Sequence, residues 1–266
     1  MLLLLCDLGN TAIKFGISHG NGLETSLCLE AGIAVGSNDF FLAIGGWLAQ
    51  AGYAAADFDA CVASSVVVHA EIALTRAIEA FFGLPVLFAQ RDLPVPLINC
   101  YGNPSQLGAD RITGAFAATR LMNDMRSVIV IDYGTALTFD CVQGETYLGG
   151  LIFPGLVVAQ KALCAAAEGL ALIGDLDFTE TEFMPGLDTA SCMRQGLLHG
   201  YASVTEGLCG RLRAGLQEPV GIVATGGYAG IISPVVAEDV RVVPGLVMLG
   251  LEKLYIEKIA LESQEE

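Results

Sequence analysis

Two stretches of this chain repeat one pattern of apolar and polar positions. Residues 2–5 form a short apolar run that ends in Asp7-Leu8-Gly9-Asn10-Thr11, after which residues 12–17 alternate as a half-buried strand does. Residues 128–131 form a second apolar run, richer in β-branched side chains. It ends in Asp132-Tyr133-Gly134-Thr135, and the stretch 136–142 follows. Each reads as strand, turn, strand, with an acid, a glycine and a hydroxyl at the turn. The pattern predicts a third strand after each hairpin, over 24–30 and 146–153. In the first half it then predicts helices over 40–50 and 70–82 and strands over 60–68 and 86–89. In the second half it predicts helices over 156–168 and 191–213, a strand over 221–224 and a helix after Gly226-Gly227. A strand over 240–243 and a C-terminal helix over 245–261 complete it.

Strands alternating with helices predict an α/β protein whose mixed sheets are covered by helices. Matched hairpins about 125 positions apart point to duplication, hence two similar domains that face each other. No Gly/Ser or Pro linker separates them, and the division is set at 1–117 and 118–266.

Composition narrows the partners. Apolar residues make up 53% of the chain and charged residues only 16%, so there is ample apolar surface to offset the entropy of ordering. Acids outnumber bases 29 to 13, for a net charge of −16. Such a field repels phosphodiester backbones and anionic lipid surfaces, so neither nucleic acid nor membrane is expected as a partner. The leading apolar run stops at Asp7, too short for a signal peptide or a membrane span, and the expected location is cytoplasmic. The eight cysteines are dispersed without a C-x-x-C pair, and all are expected to be buried, unbridged thiols. His19, His69 and His199 lack zinc-ligand spacing. The chain also has neither the G-x-x-x-x-G-K phosphate loop nor the three-glycine dinucleotide fingerprint.

Four turns carry the candidate chemistry. In the first, Gly9 permits a tight turn and close backbone approach, so that successive amides and the Thr11 hydroxyl can face phosphate oxygens. Asp7 is suited to hold hydrated magnesium, and Lys14, one of four lysines, follows on the next strand. The same residues read equally well as an Asx-capped hairpin with a solvated lysine. The second group is Tyr101-Gly102-Asn103-Pro104 followed by Gly108-Ala109-Asp110-Arg111. Ile112, Ala115 and Phe116 recur at helical spacing, which puts Asp110 and Arg111 in a helix's first turn. An acid there suits the helix dipole, whereas an arginine opposes it. Arg111 therefore reads as a cation kept for an anionic ligand, with Asp110 beside it able to accept a proton. The third is Asp132-Tyr133-Gly134-Thr135-Ala136, with Thr138 and Asp140 on the outgoing strand. The fourth comprises the glycine turns 149–155 and 225–227. Bare backbone at strand ends is where α/β folds commonly bind ligands.

The combination D-x-G-N-T, G-A-D-R, D-x-G-T-A-x-T and G-G-x-I-x-P-G, in this order from Asp7 to about Gly250, resembles the bacterial type III pantothenate kinases. These belong to the actin/hexokinase/Hsp70-like phosphotransferases. The resemblance implies two ribonuclease-H-like (actin-like ATPase) domains facing across a nucleotide cleft. It implies ATP-dependent phosphorylation of pantothenate, the first step of coenzyme A synthesis, by a homodimer that requires potassium or ammonium, with Mg2+ accompanying ATP. Residue by residue, it implies that Asp7, Leu8, Gly9, Asn10, Thr11, Ala12, Ile13 and Lys14 line the ATP phosphates and that Thr135 also contacts ATP. Asp132 would hold the monovalent cation. Tyr101, Gly108, Ala109, Asp110 and Arg111 would bind pantothenate, with Asp110 as the base. Thr189, ahead of a helix, matches a pantothenate contact of its own or the neighbouring subunit's site. Two other readings share the fold: a non-catalytic regulator, and a nucleotide or polyphosphate hydrolase. The segment 168–188 carries six acids and no base, and no function is assigned to it.

Overall fold

The structure is a computed structural model that describes residues 1–30, 32–173 and 181–265, with the side chains of 264 and 265 excepted. The chain divides into two compact units: unit 1 is Met1–Ala117 together with Gly245–Glu266, and unit 2 is Ala118–Pro244.

Unit 1 begins with the predicted hairpin, β1 (Leu3–Leu8) and β2 (Ala12–Ser18), followed by β3 (Leu23–Glu30). All of β1 is buried except Asp7, as expected of a central strand covered on both faces. In β2, Ile13, Phe15 and Ile17 enter the core while Lys14, Gly16 and Ser18 face the other way. Helix α1 (Asn38–Ala51) starts at Ser37, whose hydroxyl accepts from the Phe40 amide at 3.2 Å, and stops at Gly52 with φ 82°. It buries Phe40, Ile44, Trp47 and Leu48 against the sheet. Strand β4 (Ala60–Ser65) ends sooner than its apolar run suggests, because helix α2 (Val68–Phe82) already begins at Val68. Short strands β5 (Val86–Phe88) and β6 (Ile98–Asn99) precede helix α3 (Ala109–Leu121). The sheet order is β3-β2-β1-β4-β5, antiparallel through the hairpins and parallel from β1 onward.

Unit 2 repeats the plan. Strands β7 (Ser127–Tyr133), β8 (Ala136–Gln143) and β9 (Thr146–Pro154) lead into helices α4 (Leu156–Ala166) and α5 (Thr189–Arg213). Strand β10 (Val220–Thr225), a four-residue helix α6 (Ala229–Ile232) and β11 (Arg241–Val242) follow. Their order is β9-β8-β7-β10-β11, with the same pairing senses as in unit 1. The duplication inferred from the hairpins thus extends to whole sheets.

Several expectations are corrected. The C-terminal helix α7 (Leu246–Glu265) groups with unit 1, whereas the 118–266 assignment puts it in the second half. It packs on β1 and β4 and presses Gly250 onto the α3 backbone, where an added Cβ would overlap the Thr113 carbonyl. Its Glu252 is buried and accepts from the Ser18 hydroxyl and from the Gly22 amide at 2.9 Å. The helix expected after Gly226-Gly227 is a single turn. All eight cysteines are free thiols, but Cys28, Cys100 and Cys192 are exposed and Cys164 is half-buried. The other four are core residues, and burial pushes Cys61 and Cys209 up to about 12 and Cys141 to about 11, so these thiols stay protonated. Of the acidic segment 168–188, residues 174–180 lie outside those described.

Candidate functional site

The first turn is tight: the Gly9 amide donates to the Ala12 carbonyl at 3.0 Å, leaving Asn10 and Thr11 exposed at its tip. Leu8 and Ile13 pair across it with their side chains in the core, so only their backbone is available to a ligand. Asp7 and Lys14 are the next registered pair, with Lys14 Nζ 3.9 Å from Asp7 Oδ2.

Helix α3 brings the second group to the same unit. Its first backbone bond runs from the Ile112 amide to the Gly108 carbonyl, 3.3 Å. The Asp110 carboxylate folds back over Gly108, where a Cβ would collide with it, and accepts from the Arg111 amide at 2.7 Å. Burial pushes the Asp110 carboxyl above its ordinary value. The Arg111 amide and guanidinium, its own amide and the Lys14 ammonium pull it back down. Lys14 is therefore within electrostatic reach of Asp110, although nearly a hundred residues separate them in the chain. The Arg111 Nη1 reaches toward the Tyr101 hydroxyl at 3.5 Å, the outer limit of such a contact. Asp7, Lys14, Tyr101, Gly108, Ala109, Asp110 and Arg111 all belong to unit 1.

In unit 2 the third and fourth motifs meet. The Gly134 amide closes the turn onto the Ala136 carbonyl at 3.1 Å, and Thr135 is exposed on it. Gly155 lies flush against this turn, and any side chain there would overlap the Thr135 carbonyl. Gly226, at φ 92°, is pressed onto the Asp132 carboxylate and the Tyr133 carbonyl in the same way. Tyr133 anchors the turn from below: its hydroxyl bonds Thr205 Oγ1 at 2.8 Å, and burial pushes it up to about 12. Tyr201, one turn earlier on α5, donates to the Pro154 carbonyl at 2.7 Å. Asp140 is a buried strand residue that accepts from the Tyr147 hydroxyl, which accounts for its place on the strand after the turn.

Thr189 is the first residue of α5 rather than a loop residue ahead of it. Asp188 caps the helix, accepting from the Ser191 amide at 2.8 Å. Thr189 is exposed there, about 18 Å along the helix from Tyr201 at 1.5 Å per residue. Nothing about the sequence signalled that Gly155 and Gly226 would serve the Asp132 turn, beyond their being glycines at strand ends.

The sequence profile of the type III pantothenate kinase family matches residues 3–211. The type III pantothenate kinase of Oleidesulfovibrio alaskensis is 43% identical over 254 residues, covering 96% of each chain. That of Nitratidesulfovibrio vulgaris is 42% identical over 255 residues, 96% of this chain and 97% of its own. In architecture the chain is similar to a ROK family glucokinase from Streptomyces griseus solved with glucose and AMPPNP. The TM-score is 0.54 at 14% identity, covering 96% of this chain and 99% of that one, a likeness of fold.

Proposed function

The chain belongs to the type III pantothenate kinase family, and from that premise we propose how its residues carry the ATP-dependent phosphorylation of pantothenate, the first step of coenzyme A biosynthesis. The observation that bears most weight is the half-buried Asp110 carboxylate, set between the Arg111 guanidinium and the reach of Lys14.

Asp110 takes the proton of the primary hydroxyl of pantothenate as that oxygen attacks the γ-phosphorus of ATP and ADP departs. A raised carboxyl pKa brings the base nearer to working pH, while its cationic neighbours keep it ionised. Arg111 pairs with the carboxylate of pantothenate, and Tyr101 and the Gly108–Ala109 backbone complete its contacts. The turn from Asp7 to Lys14 lines the ATP phosphates, with bare amides, the Thr11 hydroxyl and the Lys14 ammonium facing developing charge. Asp7 is the carboxylate that would hold hydrated Mg2+ brought by ATP, which would there neutralise phosphate charge. Thr135 contacts ATP, and Thr189 contacts pantothenate.

Asp132 would hold a monovalent cation, potassium or ammonium, which would supply a fixed positive charge in a strongly acidic protein. The donor chemistry fits a hard cation, since a carboxylate stands in a cradle from which Gly226 and Gly134 withhold any Cβ. The homodimer is supported by exposed apolar side chains in unit 2: Leu148, Ile152 and Phe153 on β9, and Phe183, Met184 and Leu187 before α5. Free and partly exposed thiols suit the reducing cytoplasm. Among the described residues no helix is long and apolar enough to cross a membrane.

An ADP-release assay with and without pantothenate, in potassium and in sodium, tests this function. Release should require pantothenate and should be supported far better by potassium or ammonium than by sodium. Release that ignores pantothenate would make the chain a hydrolase, and no release under any condition would make it a regulator.

A further inference from the structure

The two units carry corresponding rows of side chains across their sheets. In unit 1 the row is Lys14 on β2, Asp7 on β1 and Ser64 on β4, joined by the register pairs Asp7–Lys14 and Asp7–Ser64. In unit 2 the row is Thr138 on β8, Asp132 on β7 and Thr225 on β10. Registered partners on adjacent strands share a face, with Cβ atoms about 4.5–5.5 Å apart in antiparallel pairs. Here that is the face opposite the core that holds Phe15 in unit 1 and Phe139 in unit 2. Carboxylates match in the middle and hydroxyls match on the parallel strand. The rows differ in chemical type at one position, where unit 1 has the Lys14 ammonium and unit 2 has the Thr138 hydroxyl.

Two further observations single out that position. Thr138 is 9% exposed and its Oγ1 has no hydrogen-bond partner among the described residues, a state that buried hydroxyls seldom keep without a ligand or water. Beside it, a Cβ on Gly134 would lie 3.2 Å from Asp132 Oδ1, and one on Gly226 would overlap that oxygen. Glycine at both places lets the backbone of the turn and of the neighbouring strand close directly on the carboxylate and hold it in place. One carboxylate with a neutral hydroxyl carries a single negative charge, which suits a monovalent ion better than a divalent one that recruits several carboxylates.

We infer that Thr138 is a ligand, together with Asp132, of the monovalent cation, which takes in unit 2 the position that the tethered Lys14 ammonium takes in unit 1. The inference rests on the reading of Asp132 given above and deepens it. On this inference the duplicated position suits an ammonium-sized charge in both units. Lys14 supplies that charge covalently, and Thr138 accepts it from solution.

The test is the midpoint of thermal unfolding as potassium chloride rises at constant ionic strength, balanced with tetramethylammonium chloride, with ADP release read in parallel. The natural protein should gain stability with potassium. Thr138→Val should raise the half-saturating potassium concentration roughly tenfold, the loss of one polar contact, while Thr138→Ser keeps it within about threefold. Thr138→Lys should melt at a midpoint indifferent to potassium, because its own ammonium fills the position. If Thr138→Lys does not fold, the Val and Ser variants still decide. If Val responds to potassium as the natural protein does, while Asp132→Asn has lost the response, Thr138 is not a ligand and the Asp132 reading stands. A natural protein whose midpoint and ADP release both ignore potassium overturns both.

Discussion

Gly226 is seated directly on the carboxylate of Asp132: at φ 92°, a Cβ on it would overlap Oδ1 and come within 2.6 Å of the Tyr133 carbonyl. The parallel neighbour strand thus ends by covering one side of the turn residue it pairs with, since Thr225, the residue before Gly226, is the registered partner of Asp132. Neither the backbone angle nor the space admits a side chain.

Gly226→Ala should accordingly be among the more damaging single-methyl additions in the protein. A left-handed backbone angle costs an alanine about 1–2 kcal/mol before any collision is counted. The melting midpoint should drop by at least about 3–6 °C, and potassium should bind more weakly than in the natural chain. Calorimetry with and without potassium measures both, and a neutral result would mean that the Asp132 turn tolerates displacement.

Asp110→Asn should lower kcat by roughly 10²–10⁴-fold while both substrates bind within a few-fold, because the amide keeps the shape and removes the base. Its effect on stability carries a definite sign. Burial raises the folded carboxyl above its unfolded value, so the folded state takes up a proton first as pH falls. This group's contribution to stability therefore improves on going down through the folded pKa, and its ionisation at neutral pH is a cost. Asp110→Asn should then melt no lower than the natural protein at pH 7. A lower midpoint with nearly normal turnover would mark Asp110 as a helix-dipole residue only.

The pH profile of kcat/KM offers a second view of the same group. Activity should fall on the acid side through a pKa above the ordinary aspartate value, as the base becomes protonated. That limb should be missing from the residual activity of Asp110→Asn.

Arg111→Ala should mainly raise the KM for pantothenate, by about tenfold or more, with that for ATP nearly unchanged. Equal loss of both, or unfolding, would assign Arg111 a structural part.

Glu252→Leu should destabilise unit 1 by about 2 kcal/mol or more, since it strands the buried Ser18 hydroxyl and the Gly22 amide without their acceptor. Glu252→Gln retains an acceptor oxygen and should lie between the two in urea midpoint.

The sequence disclosed what depends on neighbouring residues. Apolar runs broken by Asp-x-Gly revealed both hairpins, and the spacing of Ile112, Ala115 and Phe116 placed Asp110 and Arg111 in the first turn of α3. Contacts made over long chain separations were not legible. That Gly155 and Gly226 press on one turn, that Gly250 meets Thr113, and that the Lys14 charge is felt at Asp110 depend on how strands and helices stack, which no local pattern encodes. The sequence pattern leaves Thr189 just outside its helix for a smaller reason. Asp188 and Ser191 form a capping pair that starts α5 two residues before the apolar periodicity does. Composition predicts eight buried cysteines because it carries no position, whereas Cys28 sits on strand β3, whose side chains alternate between buried and exposed.

The grouping of α7 with unit 1 fixes an order of events during synthesis. The ribosome delivers β1 to α3 first, then all of Ala118–Pro244, and only afterwards the helix that covers β1 and β4. Until that helix emerges, one face of the first sheet, with Leu3, Leu5 and Val62, lacks its cover. Unit 2, one continuous segment, meets no such delay. The second half of the chain can therefore finish folding before the first, and the nascent first sheet is the surface most in need of a chaperone.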